Sequence, residues 1–344
     1  MKRQRATLGG RPARQIDPWL PAFVLALAVF SASLLVGTLV VLRAVQPRAT
    51  RTAAAAILAV LTTDAGQAAT GETRVAAAPA DFAQAIIIDV PIPGLVADGR
   101  VAAAIRDTLG ADSEHYGVVV KRLRDGRGAS LNADREFYAA STFKLAVLLE
   151  AERRLSAGTL KLDDRLQLAA EDVTEDLGTL GNLDLAADGS VSVRAALEAM
   201  VTVSDNSTAV ALLHLLGAGN IDATLAELGL RHTSVNTRDL PTTAGDMALL
   251  MEAVVSGKGM SEAARRDARE LLLRQETRDG IPAGLPKGVS VGNKTGTWQG
   301  ATHDVAFVEA PSGTYVITVL SDKDWDWAPI SRVSKAVFDV LSTE

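Results

Sequence analysis

A hydroxyl and a primary amine stand three residues apart in Ser141-Thr142-Phe143-Lys144, a string that occurs once in the 344 residues. A serine hydroxyl becomes a useful nucleophile only when a neighbouring base takes its proton, and an amine held partly neutral by burial can be that base. Helical spacing puts positions three apart on one face at neighbouring heights. The surrounding STFKLAVLLEA predicts a helix over residues 141–151, buried through Leu145, Leu148 and Leu149. Alone, the pair reads as a capping serine followed by a lysine one turn on. Its apolar setting and two further strings change that reading.

Ser204-Asp205-Asn206 interrupts two helical patterns, AALEAMVTV and STAVALLHLLG, and so forms a short polar turn between buried elements. The Ser204 hydroxyl can relay a proton towards a leaving nitrogen, and the Asn206 amide offers a donor and an acceptor to a substrate amide. Asp205 suits bracing the turn. In Lys294-Thr295-Gly296-Thr297, which ends the β-like run GVSVGN, Lys294 supplies a fixed positive charge and Thr295 a donor to a substrate carboxylate. Gly296 lets the strand backbone pass close to a ligand. The amides of Ser141 and Thr297 are candidate oxyanion donors. The catalytic candidates are thus Ser141, Lys144 and Ser204, and the substrate-binding candidates are Asn206, Lys294, Thr295, Gly296 and Thr297. This chemistry calls for no metal and no organic cofactor.

The elements that must position these groups follow from hydrophobic periodicity. Asp98 is a plausible N-cap for a helix carrying Val101, Ile105 and Leu109 on one side. A β-rich run over residues 116–123 reaches Asp125-Gly126, a hairpin signal leading to a second strand near residues 129–132. Two more strand-like runs, residues 305–309 and 314–320, flank Pro311-Ser312-Gly313, and a last helix aligns Ile330, Val333, Val337 and Val340. Residues 141 to 285 are mostly helical in pattern. Strands at both ends around a helical block predict one antiparallel sheet built from the two chain ends, with an inserted helical subdomain and a cleft at their junction.

The three ordered strings are those of class A β-lactamases and penicillin-binding proteins. The chain resembles that superfamily of serine hydrolases from about residue 98 to its end, and within it the class A branch, through VRAALEAMVTVSDNSTAVALL. The resemblance implies a two-subdomain α/β fold and a penicilloyl-type acyl-enzyme on Ser141. It also implies a glutamate-bearing loop that activates the deacylating water, and here the sequence departs. Residues 228–243 read LGLRHTSVNTRDLPTT, shorter than the family's loop and without glutamate; Asn236 and Asp239 are its only amide or carboxylate candidates. Glu171, Asp172, Glu175 and Asp176 fall where the family places the cleft rim, and most such charges are solvated. His303 beside Asp304 invites a Ser-His-Asp reading, but no Gly-x-Ser-x-Gly elbow accompanies it, and a packing or hydrogen-bonding histidine fits better. His214, within an apolar helix, is expected in the core.

Upstream, residues 19–42 form an uncharged apolar run long enough to cross a bilayer. Lys2, Arg3, Arg5, Arg11 and Arg14 precede it, so the positive-inside bias predicts residues 1–18 as a cytoplasmic basic tail and residues 98–344 as an extracytoplasmic domain. A cleaved signal is the alternative. Residues 43–97, rich in Ala and Thr with scattered Pro, predict a tether. Residues 1–51 carry a balance of +7, leaving −13 for the rest, which argues against nucleic acid as a partner and suits a basic tail against anionic lipid. The absence of cysteine excludes disulfides and a thiol nucleophile.

Three activities are consistent with this set: a membrane-anchored β-lactamase-like hydrolase of β-lactams or related amides, with slow deacylation; a penicillin-binding D,D-peptidase or transacylase on cell-wall peptides; and a non-catalytic sensor of such ligands. Both lysines argue against the last, and the missing glutamate against an efficient first.

Overall fold

The computed structural model describes residues 92–168, 183 and 185–343. Residues 19–42 and most of the tether lie outside these, as do Glu171, Asp172, Glu175 and Asp176. Among the described residues no single helix is long and apolar enough to cross a membrane.

Ten strands and eight α-helices are described: β1 (Val96–Ala97), α1 (Gly99–Leu109), β2 (Tyr116–Arg122), β3 (Arg127–Leu131), β4 (Glu136–Tyr138), α2 (Lys144–Ala157), β5 (Arg165–Gln167) and β6 (Ser190–Ser192). Then follow α3 (Val193–Thr202), α4 (Asn206–Leu216), α5 (Ala218–Glu227), β7 (Pro241–Thr243), α6 (Ala244–Ser256), α7 (Glu262–Leu273), β8 (Ser290–Trp298), β9 (Ala301–Ala310), β10 (Gly313–Ser321) and α8 (Trp327–Ser342). The main sheet runs β1-β3-β2-β10-β9-β8, so strands from both ends of the chain meet at its centre, where Val119 pairs with Thr318.

The sheet separates two apolar layers because alternate side chains of a strand point to opposite faces. Val118 and Val120 of β2, Ala306 and Val308 of β9, and Tyr315, Ile317 and Val319 of β10 face α1 and α8. Val119, Val305, Phe307, Val316 and Leu320 face the helical subdomain. Burial on both faces explains why these strands read as unbroken apolar runs.

Local signals act as expected at several points. Asp98 caps α1, its carboxylate accepting from the Arg100 amide at 2.9 Å. Gly126, at φ 76°, closes the β2–β3 hairpin, and a Cβ there would lie 2.0 Å from the Gly94 carbonyl oxygen. The chain entering β1 therefore fits only against glycine.

Two expectations need correction. The sheet is mixed, because β1 pairs parallel to β3. A two-residue strand carries no period of its own and is held by partners: the Val96 amide donates to Gly126 O and the Asp98 amide to Gly128 O. His214 is exposed, as is its neighbour Leu215 at 45%. In the last turn of α4 Leu216 stays buried while His214 and Leu215 lie on the outer side, so the apolar pattern of α4 outruns its buried face.

Candidate active site

The nucleophile candidate does not sit on a regular helix. Residues Ala140–Phe143 form a 3₁₀ turn, and α2 begins at Lys144. Ala140 is left-handed at φ 45°, an uncommon conformation for a residue with a Cβ, and the turn is tied down by Thr142, whose amide and hydroxyl both donate to Ala139 O. The predicted helix over residues 141–151 therefore starts three residues later, and the tighter turn presents Ser141 at its edge. The neighbouring strand packs closely against this turn: a Cβ on Gly296 would lie 3.0 Å from Ala139 O and Thr142 N and 3.1 Å from Ser141 N. All three are backbone atoms with little room to give. Gly296→Ala should keep the fold yet slow acylation at Ser141 by about tenfold or more, since displacements well under 1 Å already cost rate. A rate measured by stopped flow that matches the parent would contradict this.

The second string forms the joint between α3 and α4. Asp205 caps α4 by accepting from the Thr208 amide and hydroxyl, each at 2.7 Å, and is buried, which is the bracing role expected of it. Ser204 is left-handed at φ 60°. That backbone turns both its carbonyl and its hydroxyl towards Lys144.

Lys144 and Lys294 are both 0% exposed. Lys144 Nζ donates to Ser204 O at 2.6 Å and to Asn206 Oδ1 at 2.7 Å, and lies 3.1 Å from Ser204 Oγ. Lys294 Nζ lies 2.9 Å from the same Ser204 Oγ and donates to Thr295 O at 2.8 Å. One hydroxyl thus bridges two buried amines. Burial draws Lys144 down to about 7, against the opposing pull of Asp205. Burial and then the neighbouring Lys144 charge draw Lys294 well below the ordinary lysine range, with Asp304 opposing. Two like charges in so dry a space are costly, so the favoured state keeps one amine neutral. A hydroxyl can then accept from the charged amine and donate to the neutral one, which makes Ser204 a ready proton bridge.

Lys294, Thr295, Gly296 and Thr297 all lie within β8, the edge strand of the sheet, paired with β9 in the register Thr295↔Asp304 and Gly296↔His303. An edge strand has one row of backbone groups free of its sheet neighbour. That row is available to the Ser141 turn and to a ligand in the cleft. Thr295 is buried and Thr297 half-buried.

His303 is no triad member. Its Nε2 donates to Tyr138 O at 2.8 Å, its Nδ1 accepts from the Ser321 amide at 3.1 Å, and burial pushes it down to about 4, so it stays neutral. It fastens β9 to the strand leading into Ser141. Asp304, also fully buried, accepts from Asn293 Nδ2 at 2.9 Å and the Ile281 amide at 2.7 Å; burial raises it to about 7 against those hydrogen bonds and the charges of Lys294 and Arg278. From sequence, Asp304 was raised only beside His303 and Asn293 was passed over, because β8 and β9 carry several other polar residues and neither position stands out by pattern.

In the loop of residues 228–243, the Leu240 carbonyl accepts from the Ala139 amide at 2.8 Å, so the loop end adjoins the Ser141 turn. Thr233 Oγ1 and the His232 amide donate to Asp246, and Ser234 Oγ and the Val235 amide to Asp222. Asn236 and Asp239 are both exposed.

Comparison with known proteins agrees with this geometry. A model of the β-lactamase enzyme family matches residues 100–341. The β-lactamase AST-1 of Nocardia asteroides is 31% identical over 282 residues, covering 74% of this chain and 88% of that protein, and FAR-1 of Nocardia farcinica is 29% identical over 252 residues, covering 68% and 77%. Among solved structures, a β-lactamase from Sphaerobacter thermophilus superposes with a TM-score of 0.63 at 26% identity, over 71% of this chain and 97% of its own. PBP-A shares the fold, with a TM-score of 0.67 at 24% identity over 74% of this chain and all of its own, and a variant of it has been solved as an acyl-enzyme complex with penicillin G. Three motifs brought together at Ser204 Oγ and the Ser141 turn, in a chain matched over most of its length, lead to one assignment: the protein belongs to the β-lactamase enzyme family, within the superfamily of class A β-lactamase and penicillin-binding-protein-like serine hydrolases.

Proposed function

We propose that the protein is a serine acyl-transfer hydrolase that opens β-lactams or related amides through an acyl-enzyme on Ser141. The observation that carries this reading is the pair of buried lysines sharing Ser204 Oγ beside the Ser141 turn. Neutral Lys144 takes the Ser141 hydroxyl proton as Oγ attacks the carbonyl carbon, and the amides of Ser141 and Thr297 receive the developing oxyanion. As the amide C–N bond breaks, that proton passes through Ser204 to the leaving nitrogen, and Lys144 returns to its neutral state. The Asn206 carboxamide, its oxygen taken by Lys144 Nζ, offers its NH₂ to the substrate amide carbonyl. Lys294 and Thr295 face the anionic end of the substrate.

The loop without glutamate favours a second form of this reading, a penicillin-binding peptidase or transacylase on cell-wall peptides whose acyl group leaves slowly. The likeness in fold to PBP-A, a variant of which forms an acyl-enzyme complex with penicillin G, supports that form. The apolar run of residues 19–42 supports a single-pass anchor with the catalytic domain outside the cytoplasm. The test is direct: intact-mass measurement after exposure to penicillin G should show a gain equal to one whole β-lactam, located on the peptide holding Ser141. A chain that gains no mass, with no substrate consumed, would overturn the acyl-enzyme reading.

A further inference from the structure

Among the described aromatic residues only three are exposed: Tyr138 at 38%, Trp298 at 61% and Trp325 at 64%. They are not scattered. Tyr138 closes β4 just ahead of the Ser141 turn, and Trp298 follows Thr297 as the last residue of β8. Trp325 belongs to the segment between β10 and α8, and that segment is fastened to the β8–β9 turn beside Trp298. The Gly300 amide donates to Asp324 Oδ1, and Thr302 Oγ1 donates to Lys323 O at 2.6 Å. Trp325 is also held left-handed at φ 55°, a strained backbone for a bulky residue that persists only where the surroundings impose it. Trp298 and Trp325 are therefore exposed on turns braced to one another, the first directly after the candidate oxyanion donor Thr297.

The surroundings of these rings define what they can bind. Gln299 and Asp324 are exposed and Lys323 and Asp326 half-exposed, so each ring stands among hydrogen-bonding groups rather than in a continuous apolar patch. Such a surface suits a ligand with a flat C–H face edged by hydroxyl and amide groups, which is a pyranose. It suits a lipid tail poorly, because burying one needs contiguous apolar area. We propose that Trp298 and Trp325 form a stacking platform for the sugar rings of a glycan. This platform does not depend on the function proposed above.

Calorimetric titration of the full chain with the β-1,4-linked N-acetylglucosamine tetramer tests the platform. Saturable binding is expected, weakened about tenfold by Trp298→Ala and by Trp325→Ala, and largely restored by tyrosine at either position. Ser141→Ala should bind the tetramer like the parent. Absence of saturable binding up to about 10 mM, or equal affinity in the doubly substituted chain, would overturn the proposal. So would adsorption to phosphatidylglycerol vesicles that the double substitution abolishes, since that would make these rings a membrane contact. Tetramer binding without any penicillin adduct would leave the platform standing and remove the acylation reading. An adduct without tetramer binding would do the reverse.

Discussion

Lys144→Ala lowers the rate of Ser141 acylation by about 10²–10⁴, the span that loss of a positioned general base usually costs. Burial is what makes the parent lysine competent: drawn down to about 7, it holds a substantial neutral fraction where an ordinary lysine is almost wholly charged. The parent rate should therefore climb as pH rises through about 7 and level off above it, and the residual rate of the variant should lose that inflection. The same shift has a stability consequence of fixed sign. Between about 7 and the ordinary value of 10.5 the unfolded chain binds more protons at this position than the folded one, so this group adds stability as pH rises through that window. Rates of adduct formation by quenched-flow mass measurement, with circular dichroism to verify folding, decide the matter. A variant that acylates at the parent rate, or that keeps the inflection, would assign the base to another group, with Lys294 through Ser204 the first alternative.

Once formed, the adduct on Ser141 should persist for minutes or longer. In the proposed mechanism acylation has its full set of groups, whereas ester hydrolysis needs a water activated near the ester. Residues 228–243 contain no glutamate, and the only carboxylate there, Asp239, is exposed. Losing an activating base from a hydrolytic step costs about 10²–10⁴ in rate, so acyl release becomes the slow step of the cycle. A chromogenic β-lactam should give a burst of about one equivalent followed by a slow linear phase, with the mass adduct present throughout. Fast multiple turnover with no adduct would overturn this expectation. Asp239→Asn would then report whether that residue moves into the cleft to serve as base.

The grouping of the candidate site residues was more legible in the sequence than the scaffold. Ser141, Lys144, Ser204, Asn206 and Lys294 stand in strings whose residue types carry their own chemical meaning, and the structure brings those strings together around Ser204 Oγ. Helix α1, the β2–β3 hairpin and the last helix also follow from short-range signals: a capping aspartate, a glycine turn and a repeating apolar face. What the sequence did not reveal depends on contacts distant in the chain. The 3₁₀ turn at Ser141 lies against Gly296 of a distant strand, β1 is held by the Val96 and Asp98 amides donating to Gly126 O and Gly128 O, and the exposure of His214 depends on where the core ends around α4. None of these has a local pattern to announce it. The spacing of Ser141 and Lys144 survived the wrong helix start because 3₁₀ and α turns both bring residues three apart to one side.

The central pairing of β2 with β10 joins residues roughly two hundred positions apart, with the helical subdomain strung between them. During synthesis β2 and β3 therefore leave the ribosome long before the strand that shields them, and the sheet has no complete middle until β10 is made. Closing so large a loop before its contacts are formed makes for slow folding and a long interval in which Val118, Val119 and Val120 stay uncovered. The lysine bridge is assembled by the same late event, since Lys294 reaches Ser204 only after β8 joins the sheet. Acylation competence should consequently appear in one step with the final folding phase, and a chain truncated before β10 should have no partial activity.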